Sequence, residues 1–135
     1  MILRIAVAIL LSCGLTYGSE WKFVFYEPVQ PARNVQVVAH RGIKEVAPEN
    51  SIEAILACAD DYIEWAEIDV RLTKDKKHVV IHDAAVNRTT SGKGQVSDLT
   101  LEEIKQFDAG SWDAPRFQSI RVATLPDVMA AAKGR

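Results

Sequence analysis

The chain is 135 residues long, 48% hydrophobic and 25% charged, and its 16 basic and 18 acidic residues leave a net charge of −2. That is the composition of an ordinary globular domain, with one domain as the ceiling, and it excludes collagen-like, low-complexity and disulfide-scaffold classes. The charges are spread along the chain with no basic tract, which argues against nucleic acid as a partner.

Arg4 is followed by the apolar run Ile5 to Leu11 and then by small and polar residues through Ser19. The run is too short for a bilayer span of about 20 apolar residues and has the form of a secretory signal, so residues 1–18 are expected to direct export to a periplasmic or extracellular location. A second reading competes: Leu10-Leu11-Ser12-Cys13 resembles a bacterial lipoprotein box, in which residues 1–12 would be removed and a lipidated Cys13 would anchor the chain to a membrane. Leu11 is not the small residue usual there, which favours simple secretion. Either way Cys58 is the remaining unmodified cysteine; it lies on the apolar face Ile52, Ile55, Leu56, Ala59 and reads as a buried, inert thiol.

Residues 19–34 carry aromatics, Pro28 and Pro31 without a clean period and form an irregular lead-in; the domain proper is expected over 35–135. Val35 to Ala39 is a short apolar run that reads as a buried strand delivering His40-Arg41-Gly42 at its end. Either Asn50 or Ser51 can cap a helix over about Ile52 to Asp60. Ile63 to Thr73 alternates Ala66, Ile68, Val70 and Leu72 with Glu67, Asp69 and Arg71, the period of a single strand. A polar turn, Thr73 to Lys77, then leads into a strand from His78 to Asp83. Ala84 to Gln118 is turn-rich, with a short helix around Leu101 to Phe107, and reads as a functional loop excursion. A last helix opens at Thr124-Leu125-Pro126 and runs through Val128, Met129 and Ala132.

The strand ends carry the ionisable residues: His40-Arg41, then Glu67 and Asp69, then His82-Asp83. If the strands are parallel neighbours these groups converge, as ligand-binding residues do at the carboxyl ends of parallel strands. Glu67 and Asp69, one residue apart on a strand, share a face; such an oxygen-rich pair suits Mg²⁺ or Ca²⁺ better than zinc. His40 and His82 are suitable as general base and general acid, and the Arg41 fork matches phosphate oxygens. His78, at the opening of its strand, reads as scaffold, and Ser91-Gly92-Lys93-Gly94 as a turn.

His40-Arg41-Gly42, Pro48-Glu49-Asn50-Ser51, Glu67 through Asp75, His82-Asp83, Arg88-Thr89-Thr90 and Asp108 through Trp112, in this order and spacing, resemble successive blocks of the glycerophosphodiester phosphodiesterases. The resemblance runs from about Val37 to Arg135. It implies an α/β fold, the N-terminal part of a (β/α)₈ TIM barrel of the phospholipase-C-like phosphodiesterase type, which stops before the barrel is complete. It also implies hydrolysis of small-molecule glycerophosphodiesters to an alcohol and glycerol 3-phosphate with a divalent cation, Mg²⁺ or Ca²⁺. By motif position, His40 and His82 would be the acid–base pair, Arg41 a phosphate contact, Glu67 and Asp69 metal ligands and Glu49 a further member of the metal site. Residues 84–118 would be the family's insertion at the substrate mouth. Lys76 and Lys77 stand where relatives have Gly, which alters the turn. The competing reading is a non-catalytic fragment that binds a glycerophospho head group or assembles with another chain.

Overall fold

The computed structural model describes residues 36–134, so the export signal, Cys13, the lead-in and Val35 lie outside the described residues. A β-α-β unit comes first. Strand β1 (Val38–His40) and strand β2 (Trp65–Glu67) pair in parallel, with Val38 opposite Trp65 and His40 opposite Glu67. Helix α1 (Ile52–Asp60) connects them. Ser51 is its N-cap: the side-chain oxygen accepts from the Ala54 amide, and Ala54, Ile55, Ala57 and Cys58 face inward. Cys58 is buried, as its place on the apolar face predicts. The helix closes with Tyr62 at φ +57°, the Tyr62 amide donating to the Ala59 carbonyl and the Ile63 amide to that of Cys58. This is a Schellman ending in which tyrosine fills the position that favours glycine.

The single strand expected over Ile63 to Thr73 is two strands. β2 stops at Glu67, and β3 (Val70–Leu72) pairs not with β1 but antiparallel with β4 (His78–Val80). The ladder changes hands at Asp69. Its amide donates 3.1 Å to the Asn50 side-chain oxygen and its carbonyl accepts from the Ile81 amide at 2.9 Å, so a side chain takes the place of a neighbouring strand. The β3–β4 pair is therefore a hairpin rather than a pair of parallel neighbours, and β4 ends at Val80, with Ile81, His82 and Asp83 beyond it. The hairpin turns over buried Thr73, whose amide donates to the Lys77 carbonyl and whose hydroxyl accepts from the Lys77 amide, with Lys76 at φ +60°.

The 84–118 excursion is not a loose loop; it supplies most of one side of the core. Val79, Ile81, Val86, Val96, Ile104 and Val122 form one buried cluster, with Leu99, Leu101 and Phe107 packed against it. Helix α2 (Leu101–Lys105), shorter than expected, is set by a capping box between Thr100 and Glu103 and drives Ile104 into that cluster. Gly110 is required here, because a Cβ at that position would collide with the Phe117 carbonyl. Helix α3 (Leu125–Ala132) starts with a second capping box, Thr124 with Asp127, and places Val128 in the other cluster with Ile55, Val80 and Ala123. Adjacent residues of β4, Val79 and Val80, thus feed opposite clusters, as the alternation of a strand requires. Away from these clusters Val38, Trp65, Val70 and Leu72 are 41–58% exposed, leaving an apolar surface on the strands. Among the described residues no helix is long and apolar enough to cross a membrane.

Candidate active site

The chain leaving β1 turns at once. Arg41 adopts φ +64° and Gly42 φ +81°, and the Gly42 α-carbon lies so close to Ala54 that a Cβ would come within 2.8 Å of the alanine side chain. The tight turn lets the Arg41 amide donate to Glu67 Oε2 at 3.1 Å, which ties β1 to the carboxylate at the end of β2. The left-handed backbone at Arg41 costs about 1–2 kcal/mol, and strain of that kind concentrates at sites where a side chain must be aimed.

Asn50 has a second left-handed backbone, φ +60°, and its amide donates to the Arg41 carbonyl at 3.0 Å. Its side chain faces Asp69 with both ends: Nδ2 donates to Asp69 Oδ2 at 3.0 Å while Oδ1 accepts from the Asp69 amide at 3.1 Å. The buried Asn50 therefore fixes the Asp69 carboxylate. Of the two capping candidates, Ser51 caps the helix and Asn50 is freed for this contact.

The Arg41 guanidinium lies between two carboxylates, with Nη1 donating to Glu49 Oε1 at 3.1 Å and Nε 3.3 Å from Asp69 Oδ2. The second contact is a charge pair without hydrogen-bond alignment, since buried Nε makes no hydrogen bond among the described residues. Glu49 is shared. Arg88 donates to it through Nη2 at 2.7 Å and Nη1 at 3.0 Å, and also to Asp83 through Nε at 2.7 Å and Nη2 at 3.1 Å. Asp83 in turn sits 2.7 Å from His82 Nδ1. Arg88 holds Asp83 well below the usual carboxylate range, with His82 adding to the effect. Arg88 is also the main cause of the lowered Glu49 pKa; partial burial opposes it and Arg41 assists.

Five of the six residues expected at the site, Arg41, Glu49, Glu67, Asp69 and His82, thus belong to one connected set of hydrogen bonds and ion pairs. His40 ends β1 opposite Glu67 and is exposed. A small open hollow beside the set is lined by Glu49, Asn50, Ser51, His82, Thr89 and Arg121. Three members carry no site role in the residues alone: Asn50 reads as a capping candidate, Asp83 as an ionisable neighbour of His82, and Arg88 as part of a motif. The signal for Asn50 was present in the doublet Asn50-Ser51, where one cap needs only one residue.

Glu67 and Asp69 each use one carboxylate oxygen in these contacts, and the other, among the described residues, accepts no hydrogen bond. All-oxygen anionic donors of this kind fit a hard divalent cation. Among the described residues no three histidine, cysteine, aspartate or glutamate side chains are gathered closely enough to hold a metal ion, so the fit lies in donor chemistry.

Residues 40–135 match the model of the glycerophosphoryl diester phosphodiesterase family. The chain belongs to this family. Relatives include a glycerophosphodiester phosphodiesterase of Caldanaerobacter subterraneus subsp. tengcongensis, 48% identical over 92 residues, covering 68% of this chain and 38% of that protein. A solved structure of an Oleispira antarctica phosphodiesterase, in complex with the product sn-glycerol-3-phosphate, has TM-score 0.69 and 39% identity and covers 72% of this chain and 39% of that one. A glycerophosphodiester phosphodiesterase from Agrobacterium tumefaciens has TM-score 0.69 and 35% identity over 71% of this chain and 42% of its own. The chain spans about 38% of the length of the first curated relatives it matches. These neighbours are TIM barrels, so the hairpin and the β-α-β unit are an N-terminal portion of an α/β barrel, as the motifs of the glycerophosphoryl diester phosphodiesterase family imply.

Proposed function

We propose that this chain carries the N-terminal half-site of a metal-assisted phosphodiesterase that hydrolyses glycerophosphodiesters to an alcohol and glycerol 3-phosphate. The observation that carries the reading is Arg41, whose guanidinium is oriented by Glu49 and Asp69 while its backbone amide binds the Glu67 carboxylate, within a domain of this family. Its remaining nitrogen, Nη2, has no partner among the described residues and is the donor that would meet a phosphate oxygen. His40 and His82 are the acid–base pair: one takes the proton of the attacking nucleophile, water directly or a glycerol hydroxyl whose cyclic product water then opens, and the other protonates the leaving alkoxide. Asp83, at 2.7 Å from His82 Nδ1, fixes that ring and leaves Nε2 for the proton transfer.

Glu67 and Asp69 are the residues that would hold the divalent cation, Mg²⁺ or Ca²⁺. When bound, the ion would polarise the phosphoryl oxygens. Glu49 was a further candidate ligand, but both of its oxygens accept from arginines, and we assign the cation to the other two carboxylates. Export, either through cleavage after residue 18 or through lipidation at Cys13, belongs to the same proposal and would bring the protein to extracytoplasmic glycerophosphodiesters.

The test is the release of sn-glycerol 3-phosphate from glycerophosphocholine and glycerophosphoethanolamine, with and without chelator. Turnover abolished by chelator supports the reading; no release from either diester, or release indifferent to chelator, refutes it. A second reading, binding of a glycerophospho head group or assembly with another chain without turnover, is favoured by the exposed Val38, Trp65, Val70 and Leu72. Binding of sn-glycerol 3-phosphate without hydrolysis would select it.

A further inference from the structure

The path from His82 to Arg41 runs through Arg88 and Glu49, residues 39 apart in sequence. We infer that Arg88 and Glu49 are positioning residues that join the acid–base end of the site to its phosphate-binding end, an inference that rests on the hydrolytic reading above. Four of the five guanidinium protons of Arg88 are directed at carboxylates, two at Glu49 and two at Asp83. That leaves Arg88 poorly disposed to bind phosphate itself and well disposed to fix two carboxylates relative to each other.

Each carboxylate then passes the constraint on. Asp83 Oδ1 is shared between Arg88 Nη2 and His82 Nδ1, so the position of Arg88 sets where the imidazole can sit. Glu49 Oε1 is shared between Arg88 Nη2 and Arg41 Nη1, so the same guanidinium sets where the Arg41 fork can sit. One Arg88 nitrogen, Nη2, touches both branches. The Glu49 side chain is only 10% exposed, so losing Arg88 would leave a half-neutralised carboxylate in a site where it could no longer hold a fixed geometry. A residue that acts at both ends without touching substrate would move the orientation of the phosphate relative to the histidine, a displacement to which reaction rates are steeply sensitive.

The experiment follows the side-chain signals of the full chain by nitrogen-edited proton spectroscopy, comparing wild type with Arg88→Gln, Arg88→Lys and Glu49→Gln. In Arg88→Gln the Arg41 Nε–H signal and the His82 ring signals both shift, although neither side chain is bonded to Arg88. In Glu49→Gln the Arg41 and Arg88 signals shift together. Arg88→Lys restores neither end, because an ammonium keeps the charge and loses the fork. A merely structural role would leave Arg41 and His82 unmoved in every variant that keeps the backbone amide pattern of α1 and α3, and that result overturns the inference. Should Arg88→Gln unfold the chain, the wild type decides: Arg88 Nη protons that exchange as fast as those of the exposed Arg116 also overturn it. These signals are read without turnover, so a chain with linked shifts and no hydrolysis would refute the hydrolytic reading and keep the bridge.

Discussion

Replacing Asn50 separates two effects that coincide at one residue. Its side chain makes a charge-assisted bond to Asp69 Oδ2 at 3.0 Å and accepts from the Asp69 amide at 3.1 Å, while its backbone sits at φ +60°. Asn50→Gly removes both bonds and keeps a residue at ease in the left-handed region. A bond to a charged group is worth about 1.5–3 kcal/mol and a neutral one about 0.5–1.5, so their joint loss amounts to about 2–4.5 kcal/mol. Relief of left-handed strain returns about 1 kcal/mol of that, for a net destabilisation of about 1–3.5 kcal/mol. Asn50→Ala loses the same bonds and worsens the backbone, and it should cost about 1 kcal/mol more than the glycine variant. Urea unfolding of the three chains, read as midpoint shifts at a common slope, checks this. A glycine variant as stable as wild type would refute the role given to the Asn50–Asp69 pair. Equal midpoints for glycine and alanine would refute the backbone term.

Tyr62 is 84% exposed and holds the left-handed end of α1, so Tyr62→Gly should stabilise the chain by about 1 kcal/mol in the same unfolding assay. Gly110→Ala should destabilise by about 1–3 kcal/mol, because the new Cβ meets the Phe117 carbonyl rather than a movable side chain. Arg88, with help from His82, holds Asp83 low; Arg88 likewise lowers Glu49, and Ser111 pulls Asp108 down to about 2. Folded values below the unfolded ones mean that these carboxylates contribute stability above about pH 4, lost as pH falls through the folded values, so the unfolding midpoint should drop between about pH 4 and pH 2. Arg88→Gln should flatten that drop, since it removes the main cause of two of the three shifts.

What could be read from the sequence was local. The apolar pattern Ile52, Ile55, Leu56, Ala59 with a cap before it specifies the extent of α1, although of these four only Ile55 is buried and Ala54, Ala57 and Cys58 face inward with it, and Thr124-Leu125-Pro126 marks the start of α3, because caps and helical periods act within a few residues. The strand over 63–73 read as continuous because its period of two passes through Ile68 and Asp69 unbroken. The break there comes from Asn50, 19 residues away, whose side chain takes the Asp69 amide. Apart from its short helix, the excursion over 84–118 read as a loop because Val86 and Val96 fall on no regular period, yet both, like Ile104 on that helix, are buried to within 1% of complete. Turns bring them together, and turn geometry leaves no hydrophobic period to read. The site was legible as a list of residue types at strand ends. Its wiring was not, since the Arg88–Glu49 pair spans 39 residues and depends on how the β1 loop and the segment after β4 are packed.

The most direct test of the account is the turnover of glycerophosphocholine by the protein as its own cells make it, compared with His82→Ala and His40→Ala. The account predicts metal-dependent release of sn-glycerol 3-phosphate that falls about 10²–10⁴-fold in either variant, the usual worth of a positioned acid or base. Full turnover in either variant would contradict the role assigned to that histidine, and full turnover in both would contradict the account.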